Sequence, residues 1–197
     1  LNATIGQGYV SVSPFQLAIM TARIASGRHL EPEIVLKKRA AGVHLPYPDE
    51  HMAIVREGMD LVVNGNGTAV RSRLQLDGVK MGGKTGTAQV KAIKDGFRGQ
   101  SGAWKYRDHG LFVCFAPVDQ PRYAAAVVIE HGLGGARAAA PVAKDVLTFL
   151  YDREQALNTL ASLESGWGGT IEQRMASQYQ RYMAGQGTPL PAVGETT

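Results

Sequence analysis

Apolar side chains return at helical spacing in four stretches of this chain. Three other stretches lack that period and carry the glycine, aromatic and β-branched residues of strands. The first helical stretch opens at Ser13-Pro14-Phe15-Gln16: Ser13 is placed to cap, Pro14 takes the first helical position and Gln16 completes a capping box. Leu17, Met20, Thr21, Ile24 and Ala25 form its predicted inward face, and Gly27 ends it. The segment EPEIVLKKRA and the proline-bearing loop LPYPD come next. Asp49 is the predicted cap of a second helix with the inward stripe Met52, Val55, Met59 and Val62, stopped by Asn64-Gly65. A methionine stripe at this spacing marks core.

NGNGTA (64–69) reads as a turn-rich connection, and the polar-apolar stretch VRSRLQL leads from it to residues 79–90, which read as a strand. Residues 91–109 are charged and glycine-containing, and read as a loop. LFVCFAP (111–117) and RYAAAVVIEH (122–131) read as two further strands, separated so closely that they form an antiparallel hairpin. After the turn GLGG, residues 138–151 read as a helix with Val142, Val146, Leu147 and Leu150 inward. The fold class that follows is α+β in layers, an antiparallel sheet covered by helices. The character changes near residue 152. The expected organisation is one domain portion over 1–151 and a tail over 152–197, with a helix carrying Ile171, Met175, Tyr179 and Met183 and a disordered end, GQGTPLPAVGETT.

Bulk numbers narrow the classes. The chain has 197 residues, 44% hydrophobic and 19% charged, with a net charge of +4, enough for one domain with a real core. Basic residues are scattered singly or in small groups such as Lys37-Lys38-Arg39, which argues for a solvated surface rather than a nucleic-acid partner. The single cysteine, Cys114, lies in an apolar run and excludes an internal disulfide or a multi-cysteine metal site. His29, His44, His51 and His131 share no metal-ligand spacing, and His109 in RDHG reads as salt-bridged or capping, so neither metal nor cofactor is expected. Trp104 and Tyr106 are placed either at a cleft mouth or packed under the 91–109 loop.

The candidate chemistry lies in GVKMGGKTGTAQV, residues 78–90. Gly78 to Thr85 satisfies the pattern of a phosphate-binding loop, but such a loop needs a buried strand before it and a helix starting at the lysine. VRSRLQLD is too polar for the first, and TGTAQV is a poor helix start. As a strand, the segment sends Lys84 to one face and Thr85 and Thr87 to the other. Gly82, Gly83 and Gly86 remove bulk, so that an extended ligand is able to add along the strand. Two hydroxyls, one ammonium and a backbone amide at a developing oxyanion suit a peptide ending in a carboxylate. The alternative is a bulge at the glycines with Lys84 a solvated surface residue.

Lys84-Thr85-Gly86-Thr87 with AQV behind it, NGNGTA ahead of it, GQGYVSVSPFQLAIMTARIASG near the start, and RDHGLFVCFAP followed by RYAAAVVIEH stand in one order. Together they resemble the transpeptidase domain of class B penicillin-binding proteins, most nearly the elongation-type penicillin-binding protein 2 group, over residues 1 to about 151. The resemblance implies the penicillin-binding/serine β-lactamase-like transpeptidase fold, incomplete on its N-terminal side. It implies a peptidoglycan D,D-transpeptidase that cross-links stem peptides ending in D-Ala-D-Ala by serine acyl transfer, is trapped by β-lactam antibiotics, works with cell-wall elongation proteins and sits on the periplasmic face of the inner membrane. Within it, Lys84 positions substrate and tunes the proton network, Thr85 and Thr87 hold the terminal carboxylate, the Thr87 amide is half of the oxyanion hole, and Gly86 permits close approach. Gln7-Gly8-Tyr9 and Pro14 match a family signature that reads physically as a turn and a helix start.

The family also needs S-x-x-K and S-x-N ahead of K-T-G. None of Ser11, Ser13, Ser26, Ser72, Ser101, Ser162, Ser165 or Ser177 has lysine three or asparagine two residues on. The expectation is a C-terminal piece of a longer enzyme, inactive alone. The other possibility is a non-catalytic peptidoglycan- or partner-binding module that keeps the cleft strand.

Overall fold

A computed structural model of the chain describes residues 11–35, 42–90 and 103–185. Gln7-Gly8-Tyr9, Lys37-Lys38-Arg39, residues 91–102 of the expected loop and all but Gly185 of the expected disordered end lie outside the described residues. Two compact units divide the chain after Tyr151.

In the first unit, helix α1 (Pro14–Ser26) begins where its capping box predicts: Ser13 Oγ accepts from the Gln16 amide at 3.2 Å, and Gln16 Oε1 accepts from the Ser13 amide at 2.8 Å. Gly27 ends it in the left-handed region at φ 67°. Thr21 and Ala25 are buried as expected, whereas Met20 is exposed. Helix α2 (Asp49–Asn64) corrects the expected cap. Pro48 holds that position, its carbonyl accepting from the Met52 amide at 3.2 Å, and Asp49 is the first helical residue, near the positive end of the helix dipole. Met52, Met59 and Val63 are buried, while Val55 is exposed, so the stripe runs to Val63 on the helix's last turn.

Three strands follow, β1 (Gly82–Ala88), β2 (His109–Ala116) and β3 (Tyr123–Ile129), in an antiparallel sheet of order β1-β2-β3. β2 and β3 form the expected hairpin, with Gly110 opposite Ile129 and Ala116 opposite Tyr123. Register fixes the faces. Phe112, Cys114 and Ala116 pack with Ala140, Ala143 and Leu147 of helix α3 (Ala140–Tyr151). Phe115 and Val113, on the other face, pack with Ala25 and Ile24 of α1 and Met59 of α2. The sheet is thus sandwiched between helices, the layered α+β arrangement the pattern implies.

Helix α3 meets the sheet through the expected Leu147 and through alanines in place of the expected Val142, Val146 and Leu150. Ala140, Ala143 and Leu147 are buried, whereas Val142, Val146 and Leu150 are exposed. Alanines let the helix axis approach the sheet closely, which rotates the larger side chains outward. A π-helical turn, Gly135–Ala139, leads into it.

Among the described residues, the second unit contains two helices. α4 (Arg153–Gly166) is capped by Asp152, whose Oδ1 accepts from the Gln155 amide at 2.9 Å. α5 (Ile171–Met183) carries the expected apolar row and begins with a Thr170–Gln173 capping box. Neither helix contains a buried residue.

Candidate functional site

β1 is an edge strand. Among the described strands it pairs with β2 alone, Gly82 opposite Phe115 through Ala88 opposite His109. Among the described strands its other edge has no partner, the arrangement to which a further strand can add. Lys84 stands opposite Val113, on the face that α1 and α2 cover. Thr85 and Thr87 stand opposite Phe112 and Gly110, on the face of α3. The four residues K-T-G-T therefore lie in mid-strand with the predicted alternation. No helix begins at Lys84, which removes the phosphate-binding-loop alternative.

The lysine ammonium donates to the Thr85 carbonyl at 2.7 Å, which holds positive charge close to the strand. The Thr85 hydroxyl lies 2.8 Å from that of Thr68, in the NGNGTA connection. Lys84 and Thr87 are exposed, and Thr85 is half-buried.

The glycines divide by role. At Gly83 a Cβ would collide with the Phe112 ring and stand 2.8 Å from the Val113 carbonyl oxygen. At Gly82 it would stand 3.0 Å from the Phe115 ring. Both are buried, and their lack of a side chain serves the packing of two core phenylalanines, not ligand access as expected from the sequence. Gly86 differs: a Cβ there meets only Leu111, at 3.4 Å and beyond.

Both ends of β1 are fixed by hydrogen bonds. At its start, Asn64 Nδ2 donates to the Met81 carbonyl at 2.9 Å and to Asp60 Oδ1 at 2.6 Å. Beyond its end, the Val90 amide donates to Oδ1 of the buried Asp108 at 3.3 Å, and the Asp108 carbonyl accepts from the Leu133 amide at 2.9 Å. Among the described residues His109 has no ion-pair partner, and its ring satisfies a backbone amide of the loop after β3. Its Nδ1 accepts from the His131 amide at 2.9 Å, and the His131 ring lies between the His109 and Trp104 rings, 4.8 and 4.1 Å away. Trp104 makes this ring contact while staying exposed, and residues 91–102 of the loop under which the packing alternative places it lie outside the described residues. RDHG thus anchors the loop after β3, where His131 and Leu133 take left-handed conformations with φ 55° and 72°. Thr68 lies in NGNGTA and Asp108 in RDHG, segments the sequence singles out, but nothing local to either assigns these two residues a contact.

Cys114 is fully buried in the middle of the sheet, and burial pushes its thiol up to about 12 against the opposing effect of a hydrogen bond at the Ala125 backbone. A thiol held neutral in this way is not a nucleophile. Among the described residues the site contains no activated attacking group.

The family model for the penicillin binding protein transpeptidase domain matches residues 1–148. The chain belongs to this family. The transpeptidase domain here is 37% identical over 164 residues to the peptidoglycan D,D-transpeptidase MrdA of Acinetobacter baumannii, covering 76% of this chain and 24% of that protein. It is 30% identical over 146 residues to MrdA of Escherichia coli K12, covering 66% and 23%. Among solved structures it is similar to penicillin-binding protein 2 (PBP2) of Pseudomonas aeruginosa in complex with WCK 5153, with a TM-score of 0.58 and 32% identity, covering 78% of this chain and 32% of that one. It is also similar to Helicobacter pylori PBP2 in its complex with MreC, with a TM-score of 0.62 and 28% identity over 78% and 27%. The chain spans about a quarter of the length of the curated relatives it matches. The resemblance of residues 1 to about 151 to the PBP2 group is borne out.

Proposed function

We propose that this chain is the part of a peptidoglycan D,D-transpeptidase that receives the stem peptide, its nucleophile coming from upstream sequence of the parent protein. The observation that carries this is the open edge of β1, with Lys84 on one face and Thr85 and Thr87 on the other. A stem peptide ending in D-Ala-D-Ala lies along that edge as an extra strand. Its terminal carboxylate is held by the Thr85 and Thr87 hydroxyls. The Thr87 amide faces the carbonyl oxygen of the penultimate residue, where negative charge develops.

The parent's serine attacks that carbonyl, its proton passing into the network that Lys84 biases electrostatically. The C–N bond breaks, terminal D-alanine leaves with a proton on its amine, and an acyl-enzyme remains. An amine of a second stem then displaces the serine, restoring the hydroxyl and forming the cross-link. β-Lactams place a carboxylate and a reactive carbonyl in the same two positions and stop at the acyl-enzyme.

The remaining assignments rest on the relatives. A partner resembling MreC is supported by the Helicobacter pylori complex. The inner membrane and its periplasmic face are inferred from the substrate; no described helix is long and apolar enough to cross a membrane.

The test is covalent labelling by fluorescent penicillin of this chain, of the parent protein and of the parent with Lys84→Ala. The parent labels, this chain does not, and Lys84→Ala slows labelling about 10²–10³-fold, as expected for one electrostatic group at an acyl-transfer site. A folded parent that never labels overturns the proposal.

A further inference from the structure

The Thr68–Thr85 contact joins two residues 17 apart in sequence, at 2.8 Å between hydroxyl oxygens. One belongs to the proposed carboxylate site and the other to a connection with no assigned role. We propose that Thr68 is a positioning residue: it donates to Thr85 and thereby aims the Thr85 proton at the carboxylate of the stem peptide or β-lactam. This rests on the carboxylate-binding role proposed for Thr85.

Proton counting sets the direction. A hydroxyl has one proton to give and two lone pairs to receive. A carboxylate at neutral pH only accepts. When Thr85 binds it, the single Thr85 proton is committed to the ligand, so the 2.8 Å contact persists only with Thr68 as donor. A hydroxyl that accepts one hydrogen bond becomes a better donor of another. Without ligand the Thr85 proton has no fixed direction; with Thr68 donating, that proton is left for a ligand carboxylate.

The loop bearing Thr68 is built to hold that position. Gly65 and Ala69 amides donate to Leu61 and Val62 carbonyls of α2 at 3.1 and 3.0 Å, and the Ser72 amide donates to Ala69 at 2.9 Å. Arg73 Nη2 donates to the Asn64 carbonyl at 2.6 Å, while the Asn64 side chain is tied to Met81 at the start of β1. Ala69 is buried against the core. At position 67 a Cβ would lie 2.5 Å from the Val62 carbonyl oxygen, so only glycine lets the loop press this closely onto α2. Thr68 itself is exposed and adds no apolar packing. Its hydroxyl is thus delivered to Thr85 on a rigid turn.

The test compares acylation of the parent enzyme by benzylpenicillin and by its methyl ester, which keeps the lactam and lacks the charged carboxylate. The readout is the ratio of the two second-order acylation rate constants, which does not depend on how much enzyme is folded. Thr85→Val collapses the ratio. Thr68→Val lowers it about two- to tenfold, the effect of one neutral hydrogen bond, and Thr68→Ser restores it. A Thr68→Val enzyme with the wild-type ratio, or with both rates reduced by one factor, overturns the inference. A Thr85→Val enzyme with an unchanged ratio overturns instead the carboxylate role on which it rests, as does a folded parent that penicillin fails to acylate.

Discussion

Gly83 and Gly86 stand three residues apart on one strand, and alanine at each is expected to do opposite things. Neither has a left-handed φ, so alanine is allowed by backbone conformation at both. At position 83 the new methyl meets the Phe112 ring, with Cε2 at 2.9 Å, and the Val113 carbonyl oxygen at 2.8 Å. Phe112 is 1% exposed and packed with Leu147 and Ala143, and the carbonyl belongs to the paired strand, so neither neighbour yields cheaply. Overpacking of this kind costs about 1–3 kcal/mol, against which the lost freedom of the unfolded chain returns about 0.4–1 kcal/mol. With a ring and a carbonyl both in the way, the net is a destabilisation of about 1–2 kcal/mol. At position 86 the nearest atom is Leu111 Cβ at 3.4 Å, close to an ordinary contact, and Gly86→Ala changes stability by less than about 1 kcal/mol in either direction. Its methyl projects beside Leu111 on the face shared with Lys84, and for the ligand strand proposed above it crowds the approach to β1, where a misplacement of an ångström at a reacting centre is costly. Urea unfolding of the transpeptidase domain measures the first effect, and penicillin acylation of the parent the second. Gly83→Ala lowers the midpoint, and Gly86→Ala keeps it but slows acylation about tenfold or more. Equal stability losses at the two positions, or acylation unaffected by Gly86→Ala, would refute the division of roles between the two glycines.

Two further predictions follow from burial. Leu147→Ala, at a position 1% exposed against Phe112, lowers unfolding free energy by about 2–5 kcal/mol, whereas Val146→Ala, at a position 49% exposed, stays within about 0.5 kcal/mol; urea midpoints distinguish them. The Cys114 thiol is raised by burial to about 12, so the folded state keeps a proton that the unfolded state releases near 9.0. Its contribution to stability is full well below pH 9.0 and is lost as pH rises toward 12. Between pH 8 and pH 10 it falls by roughly 1–2 kcal/mol, and Cys114→Val removes that slope from urea midpoints measured at the two pH values.

Local rules made part of this molecule legible. The Ser13–Gln16 capping box, the Gly27 stop, the β2–β3 hairpin and the K-T-G-T strand each rest on residues within a few positions of one another, and each appears where the sequence places it. What escaped depends on neighbours distant in the chain. The inward face of α3 is set by how near a helix comes to a sheet, which favours Ala140 and Ala143 over Val142 and Val146. Gly83 is glycine because of Phe112 on the next strand. Asp49 looked like a cap by residue type, but Pro48 holds that place. α4 carries no apolar stripe strong enough to announce it, and buries nothing. Within the site, the alternation of Lys84 against Thr85 and Thr87 was readable from the strand period, whereas the Thr68 contact and the Asp108, His109 and His131 anchor join segments 17 to 25 residues apart.

The central claim is that the open edge of β1 receives a carboxylate-bearing ligand, with Thr85 and Thr87 on its carboxylate and the Thr87 amide on its reacting carbonyl. A crystal structure of the parent protein acylated by benzylpenicillin tests this directly. The predicted result is the thiazolidine carboxylate within hydrogen-bond distance of both hydroxyls, the acyl oxygen on the Thr87 amide, and Thr68 still bonded to Thr85. A carboxylate bound elsewhere, with the β1 edge empty, would contradict it.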